Sequence, residues 1–547
     1  MPIHFTLRGD NVFVKYSGEY FEEYKAVIRS FDFVRFDVPA KAWTFPINMF
    51  QRIIPVLGTL PEPPEIEKAL YERIVEDRAA LERSKWIRNQ QDSDFAPKGL
   101  NGKLLAFQKL GSMFLVQGRR AVLGDDVGLG KTVQAIGAFI HLLETEEIDS
   151  VLIICPGHLK RQWAAEIKKF SYWQPTIIDG SRVIREDKFK KGSQILITNY
   201  ELLSRDPEYL AREWGAVVLD EAQNIKNYKT QAAKLTLELR AVYKWALTAT
   251  PLENALPELH SIFNFVSPGF LGKWYEFERN FIVRDFWGKI IEYRNLDKLS
   301  EIIKPYLLRR RVEDCIYDFP PKESKVVFLD FLREEGIIYA DIKKKVTSFL
   351  NEARSEQINK SNKMTQIGYL RQSCDHPLLI SKEFNYSSAK IEWLKRVVAE
   401  IKNCGEKAVI FTEWSRMAKI IQRELGGCPI LHGGMDFAAR HETLEQWRET
   451  DESLVTTDCA NVGLNLQQAN WMISYELHWN PAVMKQRAGR VHRLTQKKPV
   501  HIRAPVIRAS VEERVLEALS GKADLFKMVV DSLASQTRKV SRNDRGS

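Results

Sequence analysis

From about residue 100 onward, short apolar runs alternate with longer amphipathic stretches, and this rhythm limits the fold more than any other feature of the chain. The first set is "VLIICP" (151–156), "ILITNY" (195–200), "AVVLDEA" (216–222) and "KWALTAT" (244–250). The second is "AVIFTEW" (408–414), "PILHG" (429–433), "LVTTD" (454–458), "WMISYEL" (471–477) and "VHIRAPVI" (500–507). Strands that are apolar almost throughout need cover on both faces, which a parallel sheet between helices supplies. Two such blocks predict two α/β domains, and 547 residues are too many for one hydrophobic core. Between the blocks, 255–365 is helical, aromatic and basic without the strand rhythm and is expected to be an insertion. Ahead of them, 1–60 is compact and rich in Phe, Tyr and Trp. A linker, 61–98, follows, with a mixed-charge stretch at 65–91 that predicts a connecting helix. The polar, basic ending "QTRKVSRNDRGS" is expected to be disordered.

Composition narrows the class of protein. Hydrophobic residues make up 44% and charged residues 28% of the chain, as in globular proteins. The net charge of +10 points towards a polyanionic partner, weakly, because the excess is dispersed. The cysteines at 155, 315, 374, 404, 428 and 459 form no CxxC pair, which disfavours a disulfide framework or zinc ribbon and suits a reducing compartment. The N-terminus lacks an apolar signal core, and no apolar run approaches the roughly 18 residues of a membrane span. A soluble, intracellular protein without a membrane partner is expected.

The most informative stretch is "LGDDVGLGKTVQAI" (123–136). Its Gly-Lys-Thr opens a helix-like run, so backbone N–H groups of the loop and the helix N-terminus suit a phosphate. Lys131 is then placed to reach the β- and γ-phosphates, and Thr132 to offer its hydroxyl to magnesium. Asp125 stands where the strict phosphate-loop pattern has glycine. Farther on, "VVLDEAQ" (217–223) ends an apolar strand in two carboxylates, at the sheet edge where α/β proteins bind ligands. Asp220 is expected to hold magnesium through water, and Glu221 to orient and deprotonate the attacking water.

With these residues the chain resembles the Swi/Snf family of superfamily 2 motors, over about 100–535. Gln108 in "LLAFQKLG" resembles the family's adenine-reading glutamine, and "DDVGLGKT" is similar to its DEMGLGKT, in which Asp125, Gly128 and Gly130 have counterparts. "CPGHLKRQW" (155–163) and "TNYELL" (198–203) resemble the first DNA-contacting motifs, which implies DNA contacts at Lys160, Trp163 and Asn199. "LDEAQNIKN" (219–227) is similar to the family's DEAH-R-IKN, with Gln223 and Asn224 in place of His and Arg, and "LTATPLEN" (247–254) to LTGTP-x-x-N. In the second block, "VIFTEWSR" (409–416), "LHGGM" (431–435) and "TTDCANVGLNLQQAN" (456–470) occupy the next motif places. "LRQSCDHPLL" (370–379) resembles the family's Cys-x-His-Pro segment, read as a marker and not a metal site, and 510–531 resembles a helical brace across both lobes.

The stretch "QRAGRVHRLTQ" (486–496) places Gln486, Arg490 and Arg493 at i, i+4 and i+7, one face of a helix. It resembles the family's Q-x-x-x-R-x-x-R-x-G-Q, with Thr495 in place of Gly, which implies that these residues face a triphosphate held by the other lobe. Within the insertion, Arg309 and Arg310 of "LLRRRVED" (307–314) are expected to clamp DNA phosphates. Residues 21–57 resemble the HepA-related-protein (HARP) domain of annealing helicases, with Lys41 and Trp43 as candidate DNA contacts; aromatics alternating on strands also suit a small core.

The resemblance implies an α/β protein of two RecA-like parallel-sheet lobes, 99–254 and 366–509. Helical insertions would lie between them, a small α+β module before them, and a brace and tail at 510–547. The activity implied is hydrolysis of ATP with Mg2+, stimulated by duplex or branched DNA without sequence preference, by a monomer that remodels forks or reanneals strands, as in DNA repair. Such a protein would be cytoplasmic or nucleoid-associated in a prokaryote or virus and nuclear in a eukaryote. Three alternatives stand beside it: a motor of the same family displacing DNA-bound protein such as RNA polymerase, a non-catalytic DNA-binding scaffold, and an RNA helicase.

Overall fold

The computed structural model describes residues 3–526 except 9–10, 17–20, 32–33, 51–52, 54–64, 91–92, 228–229, 249–255, 287, 289, 316–319, 353–359, 381–386, 436, 459–465 and 494–495. Parts of the stretches read above as "LTATPLEN", "TTDCANVGLNLQQAN" and the brace therefore lie outside the described residues. The chain forms two compact units, one of residues 1–311 and the other of 312–525.

The first unit opens with a small sheet. Strands β1 (His4–Arg8), β2 (Asn11–Lys15), β3 (Arg35–Asp37), β4 (Ala42–Pro46) and β5 (Glu65–Ile66) lie in the order β3-β4-β2-β1-β5. Alternation along β1 and β2 turns Phe5, Val12 and Val14 inward, where they meet Tyr24 and Ile28 of the helix Phe21–Ser30 and Phe45 of β4. The module does not end at residue 60 as expected. β5 pairs in parallel with β1, and Leu70, in the first turn of the helix Lys68–Arg88, completes the same core.

The first large sheet is formed by β6 (Arg120–Leu123), β7 (Val151–Cys155), β8 (Thr176–Ile177), β9 (Ile195–Asn199), β10 (Glu213–Asp220) and β11 (Arg240–Leu247). After a hairpin of β12 (Ile282–Arg284) and β13 (Ile290–Tyr293), β14 (Leu307–Leu308) joins the same sheet. Its order is β14-β6-β11-β10-β7-β9-β8, and every pairing is parallel. β7 is buried at all five positions, the consequence of helices on both faces.

The segment expected to be an insertion between the lobes is divided differently. The helix Leu256–Val266 is buried along most of its length, and its Leu259, Ile262 and Phe263 join Phe277, Leu299, Ile303 and Leu307 in the core under the first sheet. Residues to 308 thus belong to the first lobe, because their apolar side chains have no core of their own.

The second sheet begins earlier than predicted, at β15 (Lys322–Leu329), followed by β16 (Ala408–Thr412), β17 (Ile430–Leu431), β18 (Leu454–Thr457), β19 (Trp471–Ser474) and β20 (Val500–Ile507). The order is β15-β20-β19-β16-β18-β17, again with every pairing parallel. β15 escapes an apolar-run reading because it lies at the edge, where "KESKVVFL" exposes four of its first five residues. The described turns of the last helix, Val511–Phe526, set Val515 against Leu477, Ala504 and Val506 of this lobe. Among the described residues, no helix is long and apolar enough to cross a membrane.

Candidate active site

The strand order β6-β11-β10 brings three strand ends together on one edge of the first sheet. At the first, the chain leaves β6 at Gly124 and enters the helix Lys131–Glu144. Gly128 and Gly130 have φ of 96° and 74°, left-handed values that side chains resist. A Cβ at Gly130 would also fall 2.7 Å from Gln108 Nε2. The turn leads into a helix N-terminus whose backbone N–H groups and dipole favour an anion. Lys131 Nζ donates to the carbonyls of Asp125 (2.7 Å) and Asp126 (3.2 Å). Burial lowers its pKa, while the Glu221 and Asp125 carboxylates oppose that shift. Gln108 is buried against the same loop: Oε1 accepts from Leu105 N at 3.1 Å, and Nε2 donates to Leu129 O at 3.4 Å.

Three site expectations on this face need correction. Asp125 is fully buried, and its carboxylate accepts from Arg310 and from Gln134 Nε2 (3.2 Å), so it shapes the loop from within and has no face for nucleotide. Arg309, 4% exposed, donates to Gly124 O (2.6 Å) and Asp126 Oδ1 (2.7 Å). Arg309 and Arg310 therefore do not clamp DNA phosphates. The cause is β14: pairing with β6 carries the following residues along the nucleotide loop, with Gly124 N donating to Leu308 O and Asp126 N to Arg310 O. The third correction concerns Trp163. It is 1% exposed, which excludes a DNA contact through its ring, and its Nε1 donates to Asp220 Oδ2 at 2.8 Å.

The second strand end carries Asp220 and Glu221. Asp220 Oδ1 accepts from Glu221 N at 2.9 Å, and its carbonyl accepts from Tyr200 Oη at 2.7 Å. Burial, then the neighbouring Glu221 charge, pushes the Asp220 carboxyl up to about 6, opposed in part by Lys131. Glu221 has a left-handed backbone, φ 50°, uncommon for a residue with a side chain. Its Oε2 accepts from Gln223 Nε2 at 2.6 Å, and Gln223 Oε1 accepts from Thr248 Oγ1 at 3.0 Å. Thr248 directly follows the third strand, β11, and its N–H donates to Leu123 O at 3.1 Å. One chain of hydrogen bonds thus joins all three strand ends. Gln223 and Thr248 were quoted in the sequence without this role, because the link depends on strand order.

Nearby, Lys160 Nζ donates to Asn199 Oδ1 (3.1 Å) and Ile178 O (2.9 Å). In the small module, Lys41 is exposed, whereas Trp43 is half-buried on the core, edge-on to Phe36 at 5.2 Å and under the Arg29 guanidinium at 5.2 Å.

In the second lobe the helix Pro481–Val491 carries Gln486 and Arg490, the latter buried. Arg493 lies beyond this helix, which ends at Val491, and its Nε donates back to Gly489 O at 2.7 Å. Arg487, not singled out in the sequence, is fully buried. It donates to Asp458 Oδ1 (2.6 and 2.9 Å) and Ser474 Oγ (2.8 Å), pinning this helix to the ends of β18 and β19. Cys374 is buried and His376 Nδ1 accepts from Leu378 N at 3.1 Å. Between them, Asp375 pairs with the buried Lys390 (2.9 Å), which donates also to Glu512 of the last helix.

The SNF2-related domain matches residues 71–379, and the helicase conserved C-terminal domain matches 389–495. The chain belongs to the SNF2-related family, of the SWI/SNF type. It is 30% identical over 455 residues to the putative ATP-dependent helicase/translocase YwqA of Bacillus subtilis, covering 79% of this chain and 49% of that protein. It is 26% identical over 485 residues to the human SWI/SNF-related matrix-associated actin-dependent regulator of chromatin subfamily A member 1, covering 82% and 45%. The chain thus spans about half the length of these curated relatives. A solved SWI2/SNF2 ATPase core from Sulfolobus solfataricus, in complex with dsDNA, matches at 29% identity with a TM-score of 0.40, over 80% of this chain and 95% of that one.

Proposed function

We propose that this protein is an ATP-driven translocase on duplex DNA that acts at branched structures or reanneals strands. The observation that carries the reading is the convergence of Lys131, Asp220 and Glu221 on one sheet edge, set by the strand order β6-β11-β10 and by the hydrogen bonds running from Glu221 through Gln223 and Thr248 to Leu123. The loop fits a nucleotide phosphate, since left-handed glycines lead its backbone into a helix N-terminus beside the half-buried Lys131 ammonium group. The site also fits Mg2+: two adjacent carboxylates under one partly neutralising lysine leave negative charge, and Thr132 supplies a hydroxyl oxygen on the same loop. Bound Mg2+ would neutralise charge on the phosphates.

The remaining work falls to the protein's own groups. Lys131 turns its ammonium donors from the two loop carbonyls to the phosphate oxygens, and Gln108 reads the base. Glu221, oriented by Gln223, takes a proton from the attacking water at Oε1 or Oε2. Arg490 and Arg493 of the second lobe stabilise charge on the transferring group when the lobes close. Lys160, Asn199 and the small module, through Lys41 and Trp43, hold DNA by phosphate contacts and stacking without reading sequence. The names of the relatives, a helicase/translocase and a chromatin regulator subunit, suit a DNA motor.

The test is the ATPase rate measured side by side with single-stranded, duplex and forked DNA and with RNA. Stimulation by duplex, and more by forks, is expected, with strand reannealing under the same conditions. Stimulation by duplex without annealing would favour displacement of DNA-bound protein. Preference for RNA, or absence of turnover, would overturn the reading.

A further inference from the structure

The magnesium-holding aspartate expected at the end of β10 is gripped by two aromatic side chains that the proposed chemistry leaves unused. Trp163 Nε1 donates to the Asp220 carboxylate at 2.8 Å, and Tyr200 Oη donates to the Asp220 carbonyl at 2.7 Å. Both are buried, at 1% and 5% exposure, so neither meets a ligand in solvent. Each sits beside a candidate DNA contact. Trp163 lies three residues after Lys160, one turn along the helix Lys160–Phe170, and Tyr200 follows Asn199 directly. Lys160 and Asn199 are themselves hydrogen-bonded to each other at 3.1 Å. Two separate segments therefore meet at a half-buried polar pair and send one aromatic each to the same buried aspartate.

We infer that Trp163 and Tyr200 are positioning residues that tie DNA engagement at Lys160 and Asn199 to the placement of Asp220. The inference rests on the proposed DNA-stimulated ATPase. A phosphate approaching Lys160 competes with Asn199 for its ammonium protons and draws on the start of the helix. The helix is a stiff element, so Trp163 moves with it, and the Nε1–H···Oδ2 bond orients the Asp220 carboxylate that would hold the cation. Tyr200 fixes the backbone from which that carboxylate springs. Groups supporting a metal ligand in this way typically contribute roughly 10- to 100-fold to metal affinity or activity.

The test uses the full chain with Trp163→Phe, which removes the N–H donor, and Tyr200→Phe, which removes only a hydroxyl and keeps the ring. Circular dichroism and thermal melting check the fold of each. Three quantities are measured: duplex-DNA affinity by fluorescence anisotropy, the Mg2+ concentration for half-maximal DNA-stimulated turnover, and Mn2+ binding by electron paramagnetic resonance with a non-hydrolysable ATP analogue. Duplex affinity is expected to stay within about twofold of wild type, since both side chains are buried. Half-maximal Mg2+ should rise, and Mn2+ affinity fall, by roughly tenfold or more in Trp163→Phe, with excess Mg2+ recovering much of the rate. Tyr200→Phe should move both in the same direction by less. Lost duplex affinity with unchanged metal dependence would make Trp163 a DNA contact and overturn the inference, as would metal binding unchanged in both variants. Wild-type protein without DNA-stimulated turnover would instead reject the function proposed above, while the Mn2+ measurement would still decide whether Trp163 and Tyr200 position Asp220.

Discussion

In the proposed reaction Lys131, Asp220 and Glu221 act by charge, so their substitutions should separate binding from chemistry. Lys131→Ala is expected to abolish hydrolysis and leave duplex affinity nearly intact, measured by a phosphate-release assay beside a gel-shift titration. Glu221→Gln should keep nucleotide bound but lower kcat by roughly 10²–10⁴-fold, the range of a lost general base; turnover near wild type would remove Glu221 from that role. Arg490→Ala and Arg493→Ala should each depress kcat at saturating DNA with little change in ATP affinity. Arg310 belongs to another category. It neutralises Asp125, which is fully buried, and removing one partner of a buried pair costs about 3–5 kcal/mol. Arg310→Ala should therefore lower the stability of the first lobe in chemical denaturation, and adding Asp125→Asn should recover part of the loss. If Arg310→Ala instead weakens DNA binding at unchanged stability, the clamp reading returns.

Elements meet where a residue permits close approach or supplies a cap. Gly111 of the helix Ala106–Gly118 lies against the helix Lys131–Glu144, and a Cβ there would fall 1.7 Å from Gln134 Oε1. Gly111→Ala must displace Gln134 from Asp125 and Arg310, so a destabilisation of about 1–3 kcal/mol is expected from overpacking, read by urea unfolding. In the second lobe, Glu335 of the helix Arg333–Glu352 accepts from Ala389 N at 3.1 Å and Leu332 N at 3.2 Å. Burial pushes its carboxyl from 4.5 up to about 7. The native state therefore holds a proton that the unfolded chain has released between these values, and stability falls as pH rises through that window. The change attributable to Glu335 is at most about 3 kcal/mol. Glu335→Gln keeps an acceptor without the charge. Its stability relative to wild type should improve from pH 5 to pH 8, followed by denaturant midpoints at each pH; parallel curves would exclude the effect.

At the scale of the whole molecule, the small N-terminal sheet and the motor divide at a place the sequence does not mark. Deleting 1–60 would leave β5 without its partner β1, whereas a cut after Ile66 removes the whole small sheet and leaves the helix Lys68–Arg88 on the first lobe; Leu70 is uncovered by either cut. That helix belongs there: Arg88 donates to the carbonyls of Lys304 and Leu307, beside β14. Chain 67–547 is expected to keep DNA-stimulated ATPase activity, because Gln108, Lys131, Asp220, Glu221 and Arg490 all lie outside the deletion. Fork preference and reannealing should drop far more than hydrolysis on plain duplex. Equal fork preference in full-length and shortened protein, with circular dichroism showing both folded, would reduce the module to a packing element.

What the sequence determined by itself is local. Apolar runs specified most of the buried strands, since a strand covered on both faces has no polar positions to alternate. "GLGKT" and "LDEA" made Lys131, Asp220 and Glu221 candidates, because phosphate and metal chemistry calls for such groups at fixed offsets. The rest required the chain to close on itself. Strand order, set by which helices cover which face, put Thr248 beside Gln223 and carried Arg309 and Arg310 beneath the nucleotide loop. An arginine run reads the same from sequence whether it faces a phosphate or a buried aspartate; its partner, Asp125, is 185 residues away. Trp163 likewise matched a DNA-contacting motif by its neighbours, yet burial turned its one polar atom to Asp220. Side-chain type and spacing follow from the sequence, but the direction a side chain faces is decided by what packs over it.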